Sequence, residues 1–188
     1  MAPARVVVKL TNDQLALCDT QTDGGGWIVI QRRIKGDVNF TRDWNDYKTG
    51  FGSLSGDLWM GNDVISDLTS KGYTELRIDM TYKAQSYYAA YTQFLVQPET
   101  ADYQMTFMTY TGNASDDLSF HNGMRFTTFD RDNDWGHPQL RMRVRLRLVV
   151  PRLSSGERQR RLGEPEVQAG CRLARCVGGI TTPWILWR

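Results

Sequence analysis

The sequence predicts an α+β fold: a twisted, mainly antiparallel β-sheet with short flanking helices. Three observations carry this expectation. A β-branched run, Trp27-Ile28-Val29-Ile30-Gln31-Arg32-Arg33-Ile34, follows the glycines Gly24, Gly25 and Gly26, and such a run behind a turn reads as a strand. Three further stretches, 75–80, 87–96 and 103–110, are alternating or rich in aromatic residues, as half-buried strands are. Two short segments between the first strand and these carry apolar residues at helical spacing instead.

Taken in order, the three glycines permit positive φ just ahead of the first strand. A strand and not a helix follows them, so they form a turn rather than a phosphate cradle. The segment 41–47 places Trp44 and Tyr47 three apart on one face, with Gly50 to end the helix. The segment 62–68 places Val64, Ile65 and Leu68 to bury. The strands that follow are joined by short polar links such as Pro98-Glu99-Thr100-Ala101, which favours antiparallel pairing. The aromatic group Tyr87, Tyr88, Tyr91 and Phe94 reads as core rather than as a stacking platform.

A length of 188 residues with 40% hydrophobic content suits one globular domain. The net charge of +2 hides an asymmetry. Up to Gly136 there are 12 Lys and Arg against 18 Asp and Glu, a net of −6. From His137 onward there are 11 Arg, no Lys, no Asp and 3 Glu, a net of +8. All Tyr and Phe lie in the front part. A shift this sharp marks a new domain, a tail or a sequence of different origin. Its Arg-rich, Lys-free composition is what GC-rich codons give when read out of frame, so a shifted reading frame or mis-joined exon is expected from about His137. Within it, Arg141-Met142-Arg143-Val144-Arg145-Leu146-Arg147-Leu148 alternates strictly, with four Arg on one face of a strand. That period suits a final strand of the sheet, but four Arg there would need solvent or acidic partners.

Short words set at long intervals carry the functional reading. They are Cys18-Asp19-Thr20, Gly24-Gly25-Gly26-Trp27, Gln31-Arg32-Arg33, Gly50-Phe51-Gly52, Leu58-Trp59-Met60-Gly61-Asn62, His121-Asn122-Gly123-Met124-Arg125-Phe126 and Asp130-Arg131-Asp132-Asn133-Asp134. In this order the sequence closely resembles the fibrinogen C-terminal (fibrinogen-related) domain, the recognition module of ficolins, tachylectins and invertebrate fibrinogen-related lectins. The resemblance covers about 17–135. It implies a fold incomplete at both ends: an N-terminal remnant over 1–16, a truncated fibrinogen C-terminal-like domain over 17–136, and a non-matching Arg-rich tail over 137–188.

Asp130-x-Asp132-x-Asp134 gathers three carboxylates within five residues. Calcium takes six to eight oxygens, and alternating Asp with loop carbonyls supplies them. An EF-hand would need Gly and Glu where this sequence has Trp135 and Arg141. A solvated acidic turn that caps a strand is the other reading. The resemblance assigns calcium to Asp132 and Asp134, with Asp130 peripheral and backbone carbonyls near Gly136 and Pro138. The family then has a Cys, where this sequence has His137-Pro138-Gln139.

The family's ligand pocket follows the calcium loop, with a disulfide, a pair of Trp and a His-Asn-Leu-Asn-Gly-like word; none of these words occurs here. Cys171 and Cys176 do not match the family's pair, and the resemblance gives Cys18 a partner upstream of this sequence. Ligand-binding residues are therefore unassigned. The triplets Asn39-Phe40-Thr41 and Asn113-Ala114-Ser115 make Asn39 and Asn113 glycosylation candidates.

The resemblance implies a secreted, non-enzymatic, calcium-assisted lectin of innate immunity. It would bind acetylated or other glycans on cell or microbial surfaces, and oligomerise through regions absent here. The alternative is a non-binding remnant, or a basic-tailed interaction protein that binds anionic polymers. No Ser/His/Asp, HExxH or Walker-type pattern occurs, and His121 lacks a nucleophile neighbour. Nucleic acid is not an expected partner. Nor is a membrane, because no apolar run is long enough to span one. Only Val6-Val7-Val8 separates the charged start from Lys9, which is too short for a signal peptide. An extracellular location rests on the resemblance alone.

Overall fold

A computed structural model describes residues 5–82 and 84–133, and the backbone of 145–146, 172–173 and 180–187. The fold opens with a hairpin, β1 (Arg5–Lys9) and β2 (Leu15–Asp19), paired in register from Arg5 opposite Asp19 to Lys9 opposite Leu15. The boundary expected at Leu17 therefore falls inside this hairpin. A 3-10 turn, Thr22–Gly24, leads into β3 (Trp27–Arg32). Gly24, Gly25 and Gly26 all have positive φ. A Cβ on Gly25 would come within 2.3 Å of the Thr20 carbonyl oxygen, so the turn requires glycine there.

One edge of β3 is shared. Its start pairs with β2 and its end pairs with β5 (Leu58–Trp59), which in turn pairs with β4 (Phe51–Gly52). The strand stops at Arg32 because the buried Asp57 carboxylate accepts the N–H groups of Ile34 and Lys35, at 2.6 and 3.0 Å, and turns the backbone away.

The helix α1 spans Trp44–Thr49 and begins later than the apolar spacing predicts. Asp43 is its N-cap and accepts the Asp46 N–H, which leaves 41–43 outside the helix. The helix α2 (Asn62–Ser70) buries Ile65, Ser66, Leu68 and Thr69. Thr69 Oγ1 exchanges hydrogen bonds of 3.2 Å with the backbone of Val96, which fixes α2 to β8 (Leu95–Val96).

The strands β6 (Leu76–Tyr82) and β7 (Gln85–Tyr91) form a fully paired antiparallel hairpin, and β10 (Tyr110–Gly112) adds to β7. The expected strand at 87–96 is broken: Gln93 has φ +52, which separates β7 from β8. The strand expected at 103–110 is also broken. Pro98 caps a 3-10 turn at Glu99–Ala101, Asp102 and Tyr103 have positive φ, and only β9 (Met105–Thr106) and β10 remain extended. β8 and β9 pair antiparallel across that turn.

The main sheet runs β1-β2-β3-β13-β6-β7-β10, where β13 is Ile180–Trp187. β13 is antiparallel to both β3 and β6, from Trp184 opposite Arg32 on one side to Trp187 opposite Leu76 on the other. Thus 180–187, and not 141–148, takes the remaining place. Every residue of β3 beside it is buried, so a strand with four Arg on one face would bury uncompensated charge at that position. Arg145–Leu146 (β11) instead pairs parallel with Arg172–Leu173 (β12), apart from the main sheet. Pro183 lies beside a register shift in β13, where a missing N–H is tolerated.

The principal core lies between the helices and one face of the sheet. It joins Trp44, Tyr47, Ile65 and Leu68 to Ile28, Ile30, Ile78 and Tyr91. Each large side chain buried in this way contributes roughly 1.5–3 kcal/mol. A smaller cluster of Leu17, Trp27 and Val29, with Leu54 against it, covers the opposite face. The observed fold is the predicted one in class: mainly antiparallel β-structure with few short helices. Among the described residues no helix is long and apolar enough to cross a membrane.

Candidate functional site

The word His121-Asn122-Gly123-Met124-Arg125-Phe126 forms a surrogate strand beside β9. Asn122 accepts the Phe107 N–H through Oδ1 and donates Nδ2 to the Phe107 carbonyl, at 3.1 and 2.9 Å, as a backbone residue would. Gly123 donates to the Met105 carbonyl, and Met105 donates to that of Met124. Phe126 closes the word. Its N–H bonds the Asp102 carbonyl, and its ring packs against Trp44, Tyr47 and Trp59. His121 is buried at the end of the 3-10 turn Ser119–His121, which suits a structural role better than a catalytic one.

The acidic loop begins immediately after this anchor. Thr128 and Arg131 exchange backbone hydrogen bonds of 3.0 and 3.2 Å, forming a tight turn. Asn133 folds back to close it, donating Nδ2 to the Phe126 carbonyl at 2.8 Å. Asp130 points at α1 and accepts the Trp44 N–H on both oxygens, at 3.0 and 3.2 Å. Burial pushes its carboxyl up, but the Thr128 hydroxyl and the Trp44 N–H outweigh burial and hold it below the ordinary carboxylate value.

Arg131, between the first two Asp, holds the loop to the rest of the domain. Its guanidinium bonds Asp102 at 2.6 Å, lies 3.6 Å from Glu99, and stacks over the Trp44 ring at 3.9 Å. Glu99 also receives Trp44 Nε1 at 2.8 Å and the Lys48 ammonium. The Lys48 and Trp44 donors hold the Glu99 carboxyl below its usual value, and Glu99 in turn raises Lys48. Tyr103 donates to Asp63 at 2.5 Å and stacks on Trp44. Burial first, and the Asp63 carboxylate second, push its phenol up. One network therefore joins α1, α2, the Glu99–Ala101 turn and the acidic loop.

Of the expected metal ligands, Asp132 sits exposed on this pinned turn. Asp134 lies outside the described residues, as do Trp135, Gly136 and Pro138. Among the described residues, no group of three or more His, Cys, Asp and Glu is placed to hold a metal ion. Asn39 and Asn113 are both exposed. Cys18, in β2, is half-buried, and burial pushes its thiol up; Cys171 and Cys176 lie outside the described residues. Tyr91 and Phe94 are core, as expected, whereas Tyr88 lies half-buried under the Arg77 guanidinium, 4.3 Å from its ring centroid.

The residues that sequence reasoning missed are Arg131, Asp102, Glu99 and Lys48. Nothing in their spacing identifies them, because Arg131 and Asp102 are 29 positions apart and meet only through the fold.

Residues 4–146 match the family described as fibrinogen beta and gamma chains, C-terminal globular domain. Fibrinogen-like protein A of Apostichopus parvimensis is 48% identical over 118 residues, which is 62% of this chain and 42% of that protein. Ryncolin-4 of Cerberus rynchops is 46% identical over 125 residues, 65% of this chain and 36% of that protein. The match thus spans less than half the length of these relatives. Among solved structures, the fibrinogen-like globe domain of human ANGPTL2 superposes with a TM-score of 0.73 at 30% identity, covering 100% of this chain and 92% of that one.

Proposed function

This protein belongs to the family of C-terminal globular domains found in the fibrinogen beta and gamma chains, and on that premise we propose that it is an extracellular recognition module. It binds acetylated or related glycans on cell or microbial surfaces, and calcium orders its recognition loop. On this reading it recognises ligands rather than transforming them; among the described residues the charged groups around Trp44 pair with one another.

The observation that supports this reading best is the acidic loop. Its backbone is pinned by Asp130, Arg131 and Asn133, while Asp132 is exposed. A hard carboxylate on a preorganised turn matches the donor chemistry calcium requires. Asp132 and Asp134 are the side chains that would hold the ion, and Asp130 is committed to α1. Bound calcium would neutralise the two carboxylates and fix the backbone that follows them.

Calorimetric titration of the purified protein with calcium tests this reading, with Asp132→Ala/Asp134→Ala as control. Saturable binding that the double variant loses, with an unchanged unfolding midpoint in metal-free buffer, is the expected result. Absence of saturable heat in the wild type contradicts it.

A further inference from the structure

We propose that Asn39 carries an N-linked glycan and that Asn113, which also begins an Asn-x-Ser/Thr triplet, remains unmodified in the folded protein. The proposal rests on the extracellular reading above, since the transfer takes place in the secretory pathway.

Both triplets fit the acceptor pattern, one with Thr and one with Ser, and they differ in structure. Asn39 is exposed, in the irregular segment between β3 and α1. Its Oδ1 accepts the Thr41 N–H at 2.8 Å. This Asx turn folds the hydroxyl-bearing residue of the triplet back toward the carboxamide. The turn is braced by Arg42, whose Nε donates to the Asn39 carbonyl at 2.9 Å, and by Phe40, which packs edge-on against Phe51 beneath the Arg33 guanidinium. These bonds leave Nδ2 of Asn39 free of the fold: among the described residues it donates no hydrogen bond. A bulky substituent on Nδ2 therefore displaces no hydrogen bond among the described residues.

Asn113 is bound at both ends of its carboxamide. Oδ1 accepts the Tyr88 N–H at 2.7 Å and Nδ2 faces the Ser86 carbonyl at 3.4 Å. Its own N–H and that of Ala114 both bond the Tyr88 carbonyl at 3.1 Å. The side chain thus extends the pairing of β10 with β7 by one step. A glycan on Nδ2 would sit against β7 and compete with the bond to the Ser86 carbonyl.

The co-reactant is a lipid-pyrophosphate-linked oligosaccharide. Nδ2 of Asn39 attacks the anomeric carbon of its first sugar, forming a C–N bond. The bond from that carbon to the pyrophosphate oxygen breaks, and the lipid pyrophosphate leaves with the electron pair. Nδ2 releases one proton to the transferase, and no atom changes oxidation state overall.

The test is expression of the full-length protein in a eukaryotic secretory cell line behind a supplied leader peptide. Protein from medium and lysate is treated with peptide-N-glycosidase in ¹⁸O-water, and each asparagine is read by peptide mass spectrometry. We expect ¹⁸O-aspartate at position 39 only. Thr41→Ala and Asn39→Gln should each remove one glycan-sized step on a gel, and Ser115→Ala should remove none. Label at 113 in the folded fraction, or none at 39, overturns the proposal. Retention of glycosylated protein in the lysate counts against the extracellular reading alone, so the two failures are distinguishable.

Discussion

Replacing Arg131 with Leu keeps the side-chain volume near Trp44 and removes the charge that ties the acidic loop to the domain. The Arg131–Asp102 ion pair is short, at 2.6 Å, but the two side chains are 39% and 18% exposed, so solvent screening limits it to about 1 kcal/mol. Its stacking over Trp44 at 3.9 Å adds about 0.5–1 kcal/mol. Urea unfolding should therefore show a loss of about 1–2 kcal/mol with an unchanged m-value. If Arg131 preorganises the loop, the same free energy must be supplied by the ion. Calcium affinity should then fall about 5–30-fold, since 1.4 kcal/mol is a factor of ten. Asp102→Asn should give much of the same loss, and the double variant should be clearly less than additive. Calcium affinity equal to the wild type alongside a normal stability loss would refute the reasoning, because the loop would then order without Arg131.

Three further outcomes follow from the fold. Gly25→Ala should cost about 3 kcal/mol, since it forces a side chain into a region only glycine occupies and meets the Thr20 carbonyl at 2.3 Å. Gly24→Ala meets nothing within 4 Å and should cost about 1 kcal/mol; equal urea midpoints for the two variants would contradict the turn geometry. Burial raises the carboxyls of Asp19 and Asp57, but backbone N–H groups outweigh it (Thr22 and Gln21 for the first, Ile34 and Lys35 for the second) and hold both below the ordinary value. Their stabilisation is present at neutral pH and is lost as pH falls below about 4, through the depressed native values. Asp79, pushed up mainly by burial, acts in the opposite sense, so urea midpoints from pH 7 to pH 3 should fall, and a flat profile would show that these N–H contacts contribute nothing. Ending the protein before Ile180 should expose the facing edges of β3 and β6 and give an aggregated product on size-exclusion chromatography, whereas a monomer with native-like circular dichroism would contradict the placement of β13.

The class of fold was legible because its signals are local. The glycine turn with the β-branched run behind it gives β3 directly, and the helical spacing of Val64, Ile65 and Leu68 gives α2. What stayed hidden depends on contacts distant in sequence. Gln93 and Tyr103 take positive φ inside stretches of high β-propensity. Tyr103 does so while its hydroxyl reaches Asp63 and its ring stacks on Trp44. The alternation of 141–148 has the right period for the gap, but its four Arg need solvent or acidic partners. The β3 residues beside that place are buried, and 180–187 fills it instead. In the acidic loop the resemblance set Asp130 apart from Asp132 and Asp134, but not the contacts that hold it. Asp130 accepts the Trp44 N–H, 86 positions away, and the Thr128 hydroxyl helps to hold it.

The most direct test of the recognition reading is a glycan array rich in acetylated sugars, probed with the intact protein in calcium and again in chelator. Asp132→Asn/Asp134→Asn serves as the matched control. The account predicts binding to acetylated glycans that requires calcium and is lost in the double variant. Binding that ignores both calcium and the substitutions, or no binding by a folded protein, would contradict it.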